Sequence, residues 1–477
     1  MKETKAQADW LWRAMDALRG VMPLEAMQQF ILNMIFLRRV SDVPPEDAQG
    51  RPTWAELVGR APEPDGLDQA VRQALHAWSG RYGELHLDLD EEGTWARPHS
   101  GDRRGLDRAL RELLLVLDRA GRASAPGELY EQCLAWLSED RVGGEYYTPR
   151  DVVRTMVRLM TPEPGDEVYD PACGSAGMLV EAAHYVRAHE GRSADQAGSG
   201  LRLAGRDVNS RTRSIAAMNL VLHGLEGDML ADLGSDNSLL RGSESEEKYG
   251  IVLANPPFGM RLARWEDQHH GFTHWRYGPP PKSNADFAWV QHVLGSLRPG
   301  GRAAILLANG AAFRGGAERR IRAHLVQDDV LSAVVQLPPG LFPHTRIPAC
   351  LWLFDTAKRP HAQNRVLFID AQSSGVQVSR GRRHLTDADV SRIAGSFSAW
   401  SRAGTEDEPG WCRVLTREEI EAADHDLQPT RHVTPPATEA DPGDPERRVR
   451  ELTEELSGYF AEAARIEQEL RDVLGMR

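Results

Sequence analysis

The apolar run Ile251-Val252-Leu253-Ala254 stops at Asn255-Pro256-Pro257-Phe258. Consecutive aliphatic residues suit a strand covered on both faces, as in a parallel sheet. Paired prolines lack N–H groups and cannot continue a central strand. The fold must therefore bury this strand and end it abruptly, at the sheet edge where open α/β folds bind ligands. The residues at that edge have chemistry to match. The Asn255 side-chain oxygen can accept a hydrogen from an exocyclic amino group. The carbonyls around Pro256 and Pro257 are acceptors held in fixed directions, and the Phe258 ring can stack on a planar base. The plain alternative is a strand-end turn with a core phenylalanine.

The segments before and after this strand repeat its logic. Thr148-Pro149-Arg150 leads into a helix with Val152, Val153, Met156, Val157, Leu159 and Met160 on its apolar face. Thr148 reads as the N-cap with Pro149 at the first helical position, or as a hydroxyl that, with free N–H groups, holds a carboxylate. Glu167-Val168-Tyr169 predicts a short strand, and Asp170-Pro171-Ala172-Cys173-Gly174-Ser175-Ala176-Gly177-Met178 a loop before a helix over Leu179 to His189. Strand, small-residue loop and helix open a doubly wound fold. Gly174 and Gly177 allow close approach of a bulky ligand to the main chain. The loop is neither GxGxxG nor a Walker sequence, which disfavours a nicotinamide dinucleotide or a nucleoside triphosphate. A second strand, Arg202 to Gly205, ends at Arg206-Asp207-Val208-Asn209, with Asn209 or Ser210 capping the next helix. Asp207 is placed to take both hydroxyls of a ribose or simply to start that helix. Asp236 and Asn237 stand near the end of another strand-to-loop segment. Further strands over 302–307, 331–337 and 350–354, with a helix over 285–297, complete a βα alternation from about 165 to 370 that predicts one mixed, mostly parallel sheet.

Outside this stretch the texture differs. Residues 1–140 read as helical, with helices over 67–78, 106–120 and 127–137, and no cluster there looks catalytic. The loop from Phe258 to Ser283 interleaves Arg261, Arg264, Arg276 and Lys282 with Trp265, Phe272, Trp275 and Tyr277. That mixture suits a flipped base and its phosphates, or a solvated loop. His76, His86 and His99 read as surface residues, and His269 and His270 lack partners at metal-ligand spacing. After a Pro/Asp/Gly-rich linker, Val449, Leu452, Leu456, Tyr459, Ala463, Ile466, Leu470 and Val473 form a seam of about four heptads. Such a helix packs on a partner or folds back. The four cysteines are scattered without a CxxC pair, which points to a reducing cytoplasm rather than a zinc site. The polar start is not a secretory signal, and no apolar run is long enough to span a bilayer. The net charge of −13 makes a poor stand-alone DNA binder.

With these pieces in place the chain resembles the modification (methyltransferase) subunit of type I restriction–modification systems, an N6-adenine DNA methyltransferase family. Leu11 to Asp16 and Phe36 to Asp42 look like its helical domain. Tyr147-Thr148-Pro149-Arg150 looks like its cofactor-carboxylate motif, Asp170 to Gly177 like its S-adenosylmethionine loop, and Asn255 to Phe258 like its catalytic motif. Ser283 to Asp286 and the run from Phe313-Arg314-Gly315-Gly316-Ala317-Glu318 to Leu337-Pro338-Pro339 also fit. Ala176 stands where the family usually has glycine, so a positive φ there would be strained, and Met178 replaces a frequent phenylalanine. The resemblance implies a Rossmann-like class I S-adenosylmethionine-dependent methyltransferase domain over 141–434. It also implies an N-terminal helical domain over 1–140 and a linker with a C-terminal coiled-coil helix over 435–477. The implied catalytic residues are Asn255, Pro256, Pro257 and Phe258. The implied cofactor residues are Tyr147, Thr148, Pro149, Asp170, Ala172, Gly174, Ser175, Gly177, Asp207, Asp236 and Asn237, with S-adenosylmethionine as cofactor and no metal. The implied partners are double-stranded DNA, a specificity subunit docked on the C-terminal helix, a second copy of the chain and a restriction subunit; no membrane is involved. Two other readings stay open: amine methylation of a protein glutamine or RNA base, and a cofactor-binding scaffold in a defence complex.

Overall fold

The computed structural model describes residues 2–61, 65–81, 103–139, 148–191, 199–225, 228, 233–235, 237–239, 249–262, 275–342, 348–379, 381–404, 407–433, 452–454, 456, 457 and 465. Met1–Val433 form one compact unit and Thr434–Arg477 another. In the first unit α1 (Lys2–Leu18), α2 (Leu24–Ser41), α3 (Trp54–Gly59), α4 (Leu67–Arg81), α5 (Arg103–Ala123) and α6 (Pro126–Glu139) precede the first strand among the described residues. The last three are the helices expected over 67–78, 106–120 and 127–137. On α5 the buried residues Leu106, Leu110, Leu113, Leu114 and Leu117 follow the three-and-four spacing of one helix face. These helices do not keep a core to themselves. Their buried side chains are continuous with those covering one face of the sheet, and the Tyr130 hydroxyl of α6 donates to the Ile215 carbonyl at 3.1 Å.

The sheet follows. Its elements are α7 (Arg150–Met160), β1 (Glu167–Asp170), α8 (Gly177–His189), β2 (Arg202–Gly205), α9 (Ser210–Leu222), β3 (Tyr249–Ala254), α10 (Asp286–Gly295), β4 (Leu297–Ala308), α11 (Ala317–Gln327), β5 (Leu331–Gln336), β6 (Ala349–Asp355) and β7 (Arg365–Asp370). After these come the hairpin β8 (Val376–Ser379) and β9 (Arg382–His384), then α12 (Asp387–Ala403), β10 (Cys412–Thr416), α13 (Arg417–Ala422) and α14 (Pro429–His432). Eight strands form one sheet in the order β10-β7-β5-β6-β4-β3-β1-β2. β1 runs parallel to β2 and β3, β3 to β4, and β5 to β7. β6 is antiparallel to both neighbours and β10 to β7. The sheet is thus mixed and mostly parallel, as the βα alternation predicts.

Strand periodicity sorts the core into two halves. Ile251 and Leu253 join the cluster beneath α7, α8, α9 and α12, whereas Val252 and Ala254 join the one beneath α10 and α11. Arg302 of β4 fixes α7 to the sheet. It donates to the Met160 carbonyl at 2.7 Å and the Thr161 carbonyl at 3.0 Å and pairs with Asp166 at 3.2 Å. The last carbonyls of α7, otherwise without partners, are capped by a cation where the helix dipole favours one. From β1 the chain winds outward to β2 on one side and through β3 to β4 on the other, which leaves a crevice at the carboxyl ends of β1 and β3.

In the second unit Leu452 and Leu456 of the heptad seam are 48% and 52% exposed. Val449, Tyr459, Ala463, Ile466, Leu470 and Val473 lie outside the described residues, as do His86, His99, Arg264, Trp265, His269, His270 and Phe272. Among the described residues no helix is long and apolar enough to cross a membrane.

Candidate active site

At the reversal point Asp170 closes β1 and Asn255 leaves β3. A cleft of about 760 Å³ opens beside them, lined by Thr148, Asp170, Ala172, Cys173, Gly174, Ser175, Gly177 and Asn255, with α6 as one wall. Sequence-distant pieces expected to act together are therefore brought together.

Asn255 is 7% exposed. Its Nδ2 donates to Thr148 Oγ1 at 2.7 Å, while its Oδ1 is buried without a hydrogen-bond partner. A buried amide oxygen left this way costs about 1–3 kcal/mol, so the strand end keeps an acceptor open at its own expense. Thr148 is not the N-cap expected from sequence. Pro149 occupies that position at φ −54° and ψ 138°, with no side-chain cap, and the helix starts at Arg150. The pull of Asn255 on the Thr148 hydroxyl replaces the capping bond. Pro256 is buried, Pro257 and Phe258 are half-buried, and the Phe258 ring meets Phe342 edge-on at 6.1 Å.

The loop from Asp170 to Gly177 is wound tightly over the cleft. Asp170 Oδ1 accepts from the Ala172 N–H at 3.0 Å. Burial, and then the negative charge of Asp207, push its carboxyl up to about 7 against the pull of that N–H. Gly174 has φ +52°, and a Cβ built on it would meet nothing within 4 Å; the space above the main chain is open for a ligand. Gly177 has ordinary φ and begins α8. The positive φ falls instead on Ala176, at φ 62° and ψ 20°, which is fully buried. Its N–H closes the turn on the Cys173 carbonyl at 2.7 Å. An L-residue in this conformation is strained by about 1–2 kcal/mol. No side chain caps α8, so its first N–H groups have no capping acceptor.

Asp207 sits at the end of β2, with Oδ1 accepting from the Asn209 N–H at 2.8 Å. Asn209 caps α9 by accepting from the Arg211 and Thr212 N–H groups. Asp207 therefore does help to start the helix, and its carboxylate is also close enough to Asp170 to raise it. Asn237 Oδ1 accepts from the Leu239 N–H at 3.0 Å, and the next residue, Ser238, donates to the Pro171 carbonyl at 2.6 Å. That bond ties this segment to the Asp170 loop. Tyr147 and Asp236 lie outside the described residues. In the loop after Phe258, Arg276 and the Tyr277 hydroxyl both donate to Asp328 at 2.7 and 2.6 Å. Tyr277 is 4% exposed, so its ring is tied into the fold rather than held out for a base, whereas the Arg276 side chain stays 71% exposed.

Several polar residues at the cleft escape sequence reasoning. Glu131 and Gln132 come from α6, and Glu181 and His184 from α8; Arg150, part of the motif read around Thr148, joins them from the start of α7. Asn219 of α9 donates to the Ser175 carbonyl at 2.9 Å and to Glu131 at 3.4 Å, linking α6 to the glycine loop. Burial raises both Glu131 and Glu181, opposed in each by Arg150. His184 and His223 meet nitrogen to nitrogen at 3.0 Å, and burial lowers them to about 4 and about 3. One signal was legible: Asn219 is a lone amide in the apolar run Ile215 to Leu222. The buried acceptor, the open glycine cradle and the acid at the end of β2 together fit a nucleoside carrying an amino-acid tail, next to a flat amine.

A family model described as N-6 DNA Methylase matches residues 123–441. The type I restriction enzyme HindI methylase subunit of Haemophilus influenzae is 35% identical over 356 residues, covering 73% of this chain and 77% of that protein. The MjaIX methylase subunit of Methanocaldococcus jannaschii is 29% identical over 359 residues, covering 73% of this chain and 62% of its own length. The solved methyltransferase subunit of a type I restriction–modification system from Streptococcus thermophilus shares the fold, with a TM-score of 0.74 at 22% identity, covering 90% of this chain and 99% of that one.

Proposed function

The chain belongs to the N-6 DNA methylase family, among the methylase subunits of type I restriction enzymes, and from that premise we propose that it moves a methyl group from S-adenosylmethionine to N6 of adenine in DNA. The observation that carries this reading is the buried, unpartnered Oδ1 of Asn255. The adenine is flipped out of the duplex, because its N6 cannot be reached inside the stack. Asn255 Oδ1 and the Pro256 carbonyl accept the two N6 hydrogens and aim the nitrogen lone pair, an orientation effect. The Phe258 face, braced by Phe342, stacks on the base. Bound S-adenosylmethionine supplies a methyl carbon made electrophilic by a sulfonium. The nitrogen gains that carbon, the sulfur keeps the bond's electron pair, and the nitrogen then sheds one proton to water. No strong base is required.

Thr148, Pro149 and the loop residues Asp170, Ala172, Gly174, Ser175 and Gly177 hold the methionine part. Asp207 takes the ribose, Asp236 or Asn237 borders the cofactor adenine, and Tyr147 acts with Thr148 in the motif for the cofactor carboxylate. The chain acts as the modification subunit of a type I complex on double-stranded DNA, beside a second copy and a restriction subunit. The exposed Leu452 and Leu456 support docking of the segment after residue 434 onto a specificity subunit, which would also bring the positive charge this acidic chain lacks. On this reading residues 1–140 are a helical domain and 141–434 the methyltransferase domain. The test is Asn255→Ala in the complex with its specificity subunit. Methylation of unmodified host DNA should fall about 1000-fold, as for loss of a group acting at the transition state. Calorimetric affinity for S-adenosylhomocysteine should stay within about threefold. Methylation that persists in the variant contradicts the assignment.

A further inference from the structure

Thr148 and Asn255 lie 107 positions apart and meet through one hydrogen bond, Asn255 Nδ2 to Thr148 Oγ1. A hydroxyl can donate or accept. The pair alone would therefore be satisfied with the amide turned either way. The amine tolerates only one of the two. With Oδ1 turned toward Thr148, the Asn255 NH2 would face the N6 hydrogens, donor against donor. Something must choose the orientation, and the choice depends on where the Thr148 proton goes. Thr148 lines the cleft at the start of α7, and among the described residues no acceptor takes its hydroxyl proton.

We infer that Thr148 is a positioning residue that holds the Asn255 amide in the orientation seen here, Nδ2 on the hydroxyl and Oδ1 free, and that a ligand carboxylate locks this orientation by taking the Thr148 proton. Its oxygen is then left as an acceptor only. Asn255 can then only keep NH2 on Thr148 and Oδ1 toward the amine, so cofactor occupancy and amine capture are coupled through one hydroxyl. The inference rests on the methyl-transfer reading and extends it.

The experiment compares Thr148→Val, Thr148→Ser, Asn255→Asp and the pair Thr148→Val with Asn255→Asp, each as full chain in its specificity-subunit complex. Single-turnover transfer to unmodified host DNA is measured at saturating S-adenosylmethionine. Thr148→Val should slow transfer about tenfold or more, and Thr148→Ser less than about threefold, since one hydrogen bond is worth about a factor of ten. An aspartate presents acceptors on both oxygens and has no wrong orientation. In the Asn255→Asp background the Thr148→Val change should therefore cost less than about threefold. Equal costs in the two backgrounds, or a serine variant as slow as the valine one, overturn the inference.

A readout independent of turnover uses selective 15N-asparagine labelling of the complex. Adding S-adenosylhomocysteine should slow hydrogen exchange of the Asn255 side-chain amide in the parent and in Thr148→Ser, but not in Thr148→Val. This readout still decides if the aspartate variants transfer too slowly to measure, and unchanged exchange in the parent overturns the coupling. A parent complex that neither binds S-adenosylhomocysteine nor methylates DNA sinks the methyl-transfer reading itself. Binding and methylation without the Thr148 effects sink only the coupling.

Discussion

Two polar clusters in this molecule are built from the same kinds of residue and end differently. Beneath α10 and α11, Arg314 pairs with Asp286 and with Glu318, the latter at 2.6 Å. Nearby Arg322 donates to the Ala311 and His425 carbonyls at 3.0 and 2.8 Å. Each of these charges has a partner. At the carboxyl ends of β1 and β3, Asn255 Oδ1 has none, Asp170 is held near neutrality, and Ala176 carries backbone strain. The first cluster is closed and serves the fold. The second is left incomplete at the cleft, where a ligand can finish it.

The sharpest test of this contrast is to open the closed cluster. Arg314→Met leaves Asp286 and Glu318 buried without their cation and should cost about 2–4 kcal/mol, less than a fully buried pair because Arg314 is partly exposed. The melting temperature should drop by roughly 2–5 °C, while affinity for S-adenosylhomocysteine stays the same. A large affinity loss in this variant would break the division between the clusters.

The reverse change fills the open cluster. Gly174→Val places a β-branched side chain at positive φ and into the ligand space. Calorimetry should show S-adenosylhomocysteine affinity falling about 30-fold, roughly 2 kcal/mol, against a smaller loss of thermal stability.

Asp170 supplies a pH-dependent version. Its carboxyl is raised from 3.8 to about 7, so its contribution to stability is present below about 4 and is lost as pH climbs through about 7. Between about pH 5 and 8 the ligand-free parent should lose about 2–6 °C of melting temperature relative to Asp170→Asn. Bound S-adenosylmethionine, a cation, should narrow that gap. A gap that stays flat with pH would mean the carboxyl is already ionised.

The smallest effect is at Ala176. Glycine there relieves the positive-φ strain but gains freedom in the unfolded chain. Ala176→Gly should raise stability by less than about 1 kcal/mol, read as a melting-temperature rise of about 1 °C or less.

Much of the open cluster was legible because its parts are contiguous. Asp170 to Gly177 and Asn255 to Phe258 each carry strand, turn and chemistry in one short stretch, and Ala176 was expected to be strained if it took positive φ. What stayed hidden depends on tertiary placement. Which face of α6 turns toward the glycine loop decides whether Glu131 matters, and helical periodicity does not say. Capping statistics place Thr148 at a helix start, whereas Asn255 recruits its hydroxyl from across the cleft. The apolar run of β6 shows a buried strand but not its reversed direction. The closed cluster was only half legible: Ser283 to Asp286 and Phe313 to Glu318 stood out as motifs, and only the fold reveals that Arg314 joins them.

The account stands on where the methyl group goes. Purified complex should be incubated with unmodified host DNA and S-adenosylmethionine bearing a trideuterated methyl, and the nucleoside digest weighed by mass spectrometry. The label should appear in N6-methyladenine and vanish with Asn255→Ala. Label in a methylated cytosine, in RNA or in a protein glutamine, or in no product at all, would contradict an acceptor built for the amine of adenine.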